Sequence, residues 1–301
     1  MEPVERRRAI GWLASERSIP VSRACRAVGL ARSNWYRKTV DWTARDAPVI
    51  DAINEVLDSR VRARWSFWKC DAWLDQKHRG INHKRLHRIY KAMGLNQKRR
   101  TKKRVPARVR QPLAAPAQID QQWSMDFMQD TLYCGRTFRT LNIFDEGTRE
   151  VLAIEVDTSL PAARVIRVLE QLKDSRQLPT QIRVDNGPEF VSAKLQAWCD
   201  THHIKLQFIQ PGRPMQNGYV ERFNGSFRKE ILDAYTFGSL DEVRELAHEW
   251  MECYNYERPH DALNGIPPAL FREQLKQQNT TTSQTNTNSK TKSPETLKTL
   301  I

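Results

Sequence analysis

The sequence has no Cys-x-x-Cys pair, and its five cysteines (Cys25, Cys70, Cys134, Cys199 and Cys253) fall one to a region and make an odd total. That pattern excludes a disulfide framework and fits a reducing compartment. No stretch approaches the ~18 consecutive apolar residues of a membrane span, and the opening MEPVERRRAI lacks the apolar h-region of a signal peptide. A soluble intracellular protein is the expectation. Acids are scarce early: residues 1–112 hold 10 Asp and Glu against 28 Lys and Arg, a net +18, whereas 113–301 hold 25 against 21, a net −4. This segregation suggests a polyanion-binding module joined to a region that uses carboxylates. At ~150 residues per domain the length allows about two domains, each able to bury a core.

What is present divides the chain into five stretches. Over 1–45, Ile10, Leu13 and Ala14 recur at helical spacing, as do Val21, Ala24, Cys25 and Val28, and Gly29 is placed to end the second helix. A short helix over 31–38 follows the turn, a helix-turn-helix arrangement that offers Asn34, Arg37 and Lys38 to a DNA groove. The stretch 46–95 reads as a second helical DNA-binding unit. It ends in INHKRLHRIYKAMGL, where Asn82 is the N-cap, Leu86, Ile89, Tyr90 and Met93 form the apolar stripe and Gly94 terminates the helix. The opposite stripe presents Lys84, Arg85 and Arg88. His83 and His87 are four apart, but no Cys pair or acid accompanies them, so they are expected at the surface or facing DNA rather than on a metal. Residues 96–117 form a basic linker, in which Arg99, Arg100, Lys102, Lys103 and Arg104 are expected to meet phosphate.

From 118 to 275 the pattern alternates strands and helices. WSMDFMQD, TFRTLNIFDE and VLAIEVDT read as three successive strands, followed by a helix (161–174), QIRVDNG as a strand, a helix from Pro188 to about 203, and IKLQFIQ as a strand. Helices over 217–235 and 240–254 close the order. The fold class this predicts is α/β: a ribonuclease H-like catalytic core, a mixed five-stranded sheet with flanking helices, preceded by the helical region. Residues 276–301 are Thr/Asn/Gln/Ser/Lys-rich and are expected to be a disordered polar tail.

Three acids fall where a metal-dependent site needs them. Asp126 is in the middle of the first strand, Asp185 ends the fourth with Asn186-Gly187 as the turn and Pro188 as first helical residue, and Glu221 lies one turn into the following helix. Two Mg²⁺ ions ~3.5–4 Å apart need such hard oxygen ligands, with Mn²⁺ as a substitute. On the Glu221 helix, Val220, Phe223, Phe227 and Ile231 should face the core, while Asn217, Asn224 and Arg228 share the Glu221 stripe and should face metals and DNA. Among rival acids, Asp120, Asp130, Asp145 and Glu146 are expected to be solvated or turn-forming and Glu189 to sit at a helix start. His260 is expected to make a fold contact.

The spacing, 58 residues between Asp126 and Asp185 and 35 between Asp185 and Glu221, resembles the DDE pattern of retroviral integrases and bacterial insertion-sequence transposases. WSMDFMQD, RVDNGPEF, IQPGRPMQNGYVERFNGSFRKE and YNYERPHDALNGIPPALF are similar to the catalytic domain of the second-reading-frame transposase of the insertion-sequence-three family, and NHKRLHRIYKAMGL to the helical region before it. The likeness spans roughly 48–272. It implies a DDE transposase/integrase, a polynucleotidyl transferase that cleaves and joins DNA strands at element ends during transposition. The implied partners are double-stranded DNA (transposon ends and target), further copies of the chain on that DNA, and an upstream reading-frame product as a fusion, with no membrane partner. The implied location is the bacterial cytoplasm, associated with the nucleoid. The alternatives are a non-catalytic helix-turn-helix regulator, which intact acids argue against, and a ribonuclease H-like nuclease without strand transfer, which only an assay separates.

Overall fold

The computed structural model of the chain describes residues 3–37, 42–77, 80–96, 118–210 and 217–289. It divides into two compact units, residues 1–48 and 49–301. Among the described residues no helix is long and apolar enough to cross a membrane.

The first unit contains α1 (Pro3–Ser15), α2 (Val21–Val28) and α3 (Arg32–Tyr36). Ile10, Ala24 and Cys25 are its buried centre, with Leu13, Val28 and Trp35 packed on them. Helix α2 stops where the sequence places the stop: Gly29 adopts φ 69°, a left-handed conformation that costs glycine nothing. Helix α3 is shorter than expected because the backbone is already extended at Arg37. The Arg7 guanidinium ties it down by donating to the Asn34 carbonyl (2.9 Å).

The second unit opens with residues 49–57 of α4 (Trp42–Leu57), then α5 (Phe67–Gln76) and α6 (His83–Ala92). Helix α6 starts because Asn82 Oδ1 accepts from the Lys84 amide at 2.9 Å, and it buries Leu86, Ile89 and Tyr90. Asn82→Ala should therefore lower stability by about 1 kcal/mol. A denaturant midpoint that does not move would show that the cap contributes nothing.

The sheet has the order β3-β2-β1-β4-β5. Strands β1 (Gln122–Thr131), β2 (Thr137–Asp145) and β3 (Val151–Asp157) form an antiparallel meander. Strand β4 (Gln181–Val184) then runs parallel to β1, and β5 (Lys205–Phe208) parallel to β4. The connections are α7 (Ala162–Ser175) and α8 (Ala193–Thr201). Alternation along the strands separates two cores. Trp123, Met125, Leu141 and Ile143 pack with residues of α7 and α8, whereas Met128, Phe138 and Phe144 pack with α9 (Gly218–Phe227) and α10 (Leu240–Tyr256). This is the mixed, ribonuclease H-like sheet read from the sequence.

Several boundaries differ, each for a physical reason. Helix α8 begins at Ala193, not Pro188, because the Ser192 hydroxyl caps it by accepting from the Leu195 amide (3.3 Å). Residues 188–191 instead form a turn in which the Phe190 and Val191 amides bond the Gly187 carbonyl. Helix α9 widens into a π turn (Arg228–Leu232), which brings Glu230, Ile231 and Leu232 inward together and lets Glu230 accept from Trp250 Nε1 (3.0 Å). Helix α11 (Pro268–Ser289) continues into the stretch expected to be disordered, with no Gly or Pro to interrupt it after Pro268. Residues 290–301 lie outside the described residues. Finally, α4–α6 are not a separate unit: Val56, Trp65, Trp73 and Ile89 share one hydrophobic cluster with Phe223, Phe227 and Trp250.

Candidate active site

Asp126 occupies the centre of β1, paired in register with Asn142 of β2, on the sheet face covered by α9. Asn142 Nδ2 donates to Asn224 Oδ1 (2.7 Å), and Asn224 Nδ2 donates to Asp126 Oδ2 (2.7 Å), so two amides from neighbouring elements orient the carboxylate. Its other oxygen accepts from the Phe127 amide (2.9 Å). Asp185 is the first residue past β4, the strand beside β1. Its Oδ1 accepts from the Gly187 amide at 3.0 Å, and a Cβ on Gly187 would lie only 3.0 Å from the same oxygen, which explains the glycine. Asn186 Nδ2 donates to the Ile209 carbonyl (3.2 Å), and buried Phe190 stacks on Phe127 at 4.8 Å, so the turn is anchored on both sides. Glu221 lies in the exposed first turn of α9, where the helix dipole favours negative charge.

Burial, then the charge of Asp185 and more weakly that of Glu221, push the Asp126 carboxyl from 3.8 up to about 6, against the hydrogen bonds from Phe127 and Asn224. Asp126 thus feels the charge of both other acids. Among the described residues no Lys or Arg forms an ion pair with any of the three. Four of the five rival acids are paired with arginine, and the fifth, Asp145, is held by hydrogen bonds from the Thr148 hydroxyl and the Gly147 and Asp120 amides. Glu189 pairs with Arg139, Asp130 with Arg228 (3.1 Å), Asp120 with Arg176 (2.8 Å) and Glu146 with Arg183 (2.8 Å). Glu189 is accordingly held below the usual carboxylate range, first by its bond from Arg139, and does not sit at a helix start.

Hard carboxylate oxygens lacking a protein countercharge fit Mg²⁺ or Mn²⁺, and the set has no His or Cys that would favour zinc. Among the described residues no three His, Cys, Asp or Glu converge closely enough to hold an ion. In EDTA, Asp126→Asn should stabilise the protein at pH 8, by up to about 3 kcal/mol for a carboxyl raised from 3.8 to about 6. The folded value lies above the unfolded one, so the penalty on the wild type is absent below pH about 4 and complete above about 6. Equal melting temperatures of wild type and variant at pH 8 would show that Asp126 carries no such penalty. The amide is tolerated because the Asn224–Asn142 relay can invert: Asn142 Oδ1 is buried and has no partner.

The residues expected at DNA separate. Arg37, Lys84 and Arg88 are exposed and Arg85 is half-buried, while Lys38 and Arg99, Arg100, Lys102, Lys103 and Arg104 lie outside the described residues. Asn217 and Asn224 are buried rather than facing DNA, because α9 packs closely on β1 and β2. Arg228 donates to Asp130 and to the Gln129 carbonyl (2.7 Å), which holds it along β1. Val220, Phe223, Phe227 and Ile231 are fully or almost fully buried, as the helical period requires. His87 packs edge-on against Phe67 (4.7 Å), and His260 packs against Tyr254 (4.7 Å), the expected fold contact. Asp145 and Glu146 correct the reading of a solvated turn, since both side chains are buried. Asn142 escaped the sequence reading; its signal was a lone amide between apolar residues in the strand TLNIF.

Two models of an integrase core domain match the chain, one over residues 116–214 and the other over 202–268. A 39.2 kDa protein of insertion element IS476 from Xanthomonas euvesicatoria is 35% identical over 277 residues, covering 90% of this chain and 78% of that protein. A 31.7 kDa protein of insertion element IS407 from Burkholderia multivorans is 36% identical over 260 residues, covering 84% and 91%. The InsK protein for insertion sequence element IS150 from Escherichia coli is 23% identical, covering 85% and 94%. The HTLV-2 integrase catalytic core, solved in complex with magnesium, superposes with a TM-score of 0.42 at 20% identity, covering 51% of this chain and 96% of that one. With an integrase core built on this sheet and insertion-element relatives along nearly its whole length, the chain belongs to the insertion-sequence-three-like DDE transposases.

Proposed function

We propose that this transposase cleaves and joins DNA strands at the ends of its element, with Asp126, Asp185 and Glu221 as metal ligands and catalytic carboxylates and Mg²⁺ as the ion. The observation that carries the assignment is electrostatic: the charges of Asp185 and Glu221 add to the cost of ionising Asp126, and no described cation pairs with any of the three, whereas Asp120, Asp130, Glu146 and Glu189 each have an arginine. When bound, a divalent ion supplies Lewis-acid polarisation of the scissile phosphate and activation of the attacking water or 3′ hydroxyl. The chain's own contribution is placement. The rigid centre of β1 fixes Asp126, the relay from Asn142 and Asn224 fixes its rotamer, and the Gly187 amide orients Asp185. Glu221, longer by one methylene, reaches in from α9.

The same reading gives the exposed cations of α6, Lys84 and Arg88 with Arg85, together with Asn34, Arg37, Lys38 and the basic residues 99–104, to the DNA backbone. An element has two ends to be held at once, which favours several copies acting together on the DNA. The test is a strand-transfer assay with the purified full chain on DNA carrying the element's own ends. Joined products should form with Mg²⁺ or Mn²⁺ and vanish with EDTA. Products formed in EDTA, or cleavage without any joining, would overturn the reading.

A further inference from the structure

Helix α9 has a second functional flank. Successive residues turn by ~100°, so Arg222 and Ser226 share a side of the helix that faces away from Glu221 and Asn224. Beside them is a cavity of about 170 Å³ that four cations line, Lys69, Arg149, Arg222 and Arg258, against a single carboxylate, Asp261. Arg258 is already bonded to Glu230, and Lys69 Nζ reaches the Pro259 carbonyl at 3.4 Å. Two nitrogens of the lining are buried without a hydrogen-bond partner, Arg149 Nη1 and His260 Nε2. Among the described residues Arg222 forms no ion pair.

Buried polar atoms of this kind are rarely left unpaired, and a cluster of like charges around an unfilled hollow is complementary to an anion. The cations oppose one another: burial and then Arg258 bring Lys69 down to about 8, and burial, Arg258 and Lys69 hold His260 well below its usual value. The backbone points the same way. Arg149 sits at φ 63° in the β2–β3 turn, a position that Gly or Asn fills more easily, and its guanidinium lies 3.5 Å over the Tyr219 ring at the cavity. Arg222, Asp261 and Ala262 are exposed, so the hollow opens to solvent and can admit a group borne on a chain.

We propose that this cavity holds one backbone phosphate of the DNA substrate, on the opposite side of α9 from the scissile one. The inference rests on the transposase reading above. A helix with its side chains is ~10–12 Å across, and successive phosphates of a strand lie farther apart than the ~3.4 Å axial rise of B-DNA, so the two phosphates lie within about three steps of each other. Arg149 and Arg222 are positioning residues: they fix where along the strand the scissile bond meets the acids.

The test uses the full chain, the variants Arg222→Gln and Arg149→Asn, and an end duplex in which single phosphates are replaced in turn by neutral methylphosphonates. Asn suits the left-handed turn, and Arg222 is exposed, so both variants should melt as the wild type does. Each is expected to bind the unmodified duplex about tenfold more weakly and to flatten the slope of log affinity against log salt by about one. One methylphosphonate within about three steps of the cleavage site should weaken wild-type binding equally and the variants no further. Loss spread evenly over all methylphosphonate positions would reduce the cavity to general surface charge and overturn the proposal. Inorganic phosphate alone is the second arm: if it raises the wild-type melting temperature but not that of the variants, while their DNA affinities match, the cavity serves a free anion and the DNA assignment falls. The Asp185→Asn protein separates this result from the parent reading. If it still joins strands, the acids are misassigned even where the salt slopes of the arginine variants stand.

Discussion

Purified Asp185→Asn protein should lose Mg²⁺-dependent cleavage and joining by roughly a hundredfold to a thousandfold, the scale of removing one preorganised electrostatic group from a transition state, and bind DNA as the wild type does. The amide is nearly isosteric, and its oxygen can still accept from Gly187, so the turn after β4 keeps its shape. What is lost is the negative charge that holds a hard cation. DNA contacts elsewhere are untouched, so a gel-shift titration should overlay that of the wild type. Strand transfer retained within tenfold of wild type would remove Asp185 from the site, and a lowered melting temperature would assign the loss to folding instead.

Replacing Arg183 by Met should destabilise the protein by about 3–5 kcal/mol, the range for breaking a buried ion pair from one side. Arg183 Nη1 lies 2.8 Å from both Glu146 oxygens, and the Glu146 side chain has no exposed surface. Ser124 also donates to that carboxylate, but a hydroxyl cannot neutralise it. Burial already raises the Glu146 carboxyl above its ordinary value, and without Arg183 it would fold only by taking up a proton. The double variant Arg183→Met/Glu146→Gln should recover much of the loss. Denaturant unfolding decides it: a change below 1 kcal/mol in the single variant would mean that water reaches Glu146.

That pair also marks where the sequence stops being legible. Short strand-like runs identified β1, β2 and β3, and the 3.6-residue repeat of Val220, Phe223, Phe227 and Ile231 fixed the rotation of α9, because both signals are local. The acids were readable from spacing and neighbouring words. FDEGTRE, by contrast, looks like a solvated turn, and only long-range contacts bury it. Gly147 approaches so closely that a Cβ would meet the Gln118 carbonyl at 2.4 Å, and Arg183 arrives from a strand 37 residues away. Asn224 was placed on the correct stripe but not at the correct depth, since its partner Asn142 belongs to another strand. The start of α8 was a contest between two good helix starters, Pro188 and Ser192, which local propensity does not settle.

Helices α4 (from Val49), α5 and α6 share their apolar cluster with α9 and α10, and Tyr235 donates to the Arg60 carbonyl (2.7 Å) while Arg60 pairs with Glu245 (3.0 Å). An interface built like a domain core does not hinge. Under the proposed function, a duplex gripped by Lys84 and Arg88 of α6 is thereby set at a constant remove from Asp126. On that reading the protein is a ruler whose length is written in Val56, Trp65, Trp73 and Trp250, and the offset between the phosphates it grips and the bond it cuts is a property of hydrophobic packing. Shaving that packing would blur where the cut falls before it abolished cutting.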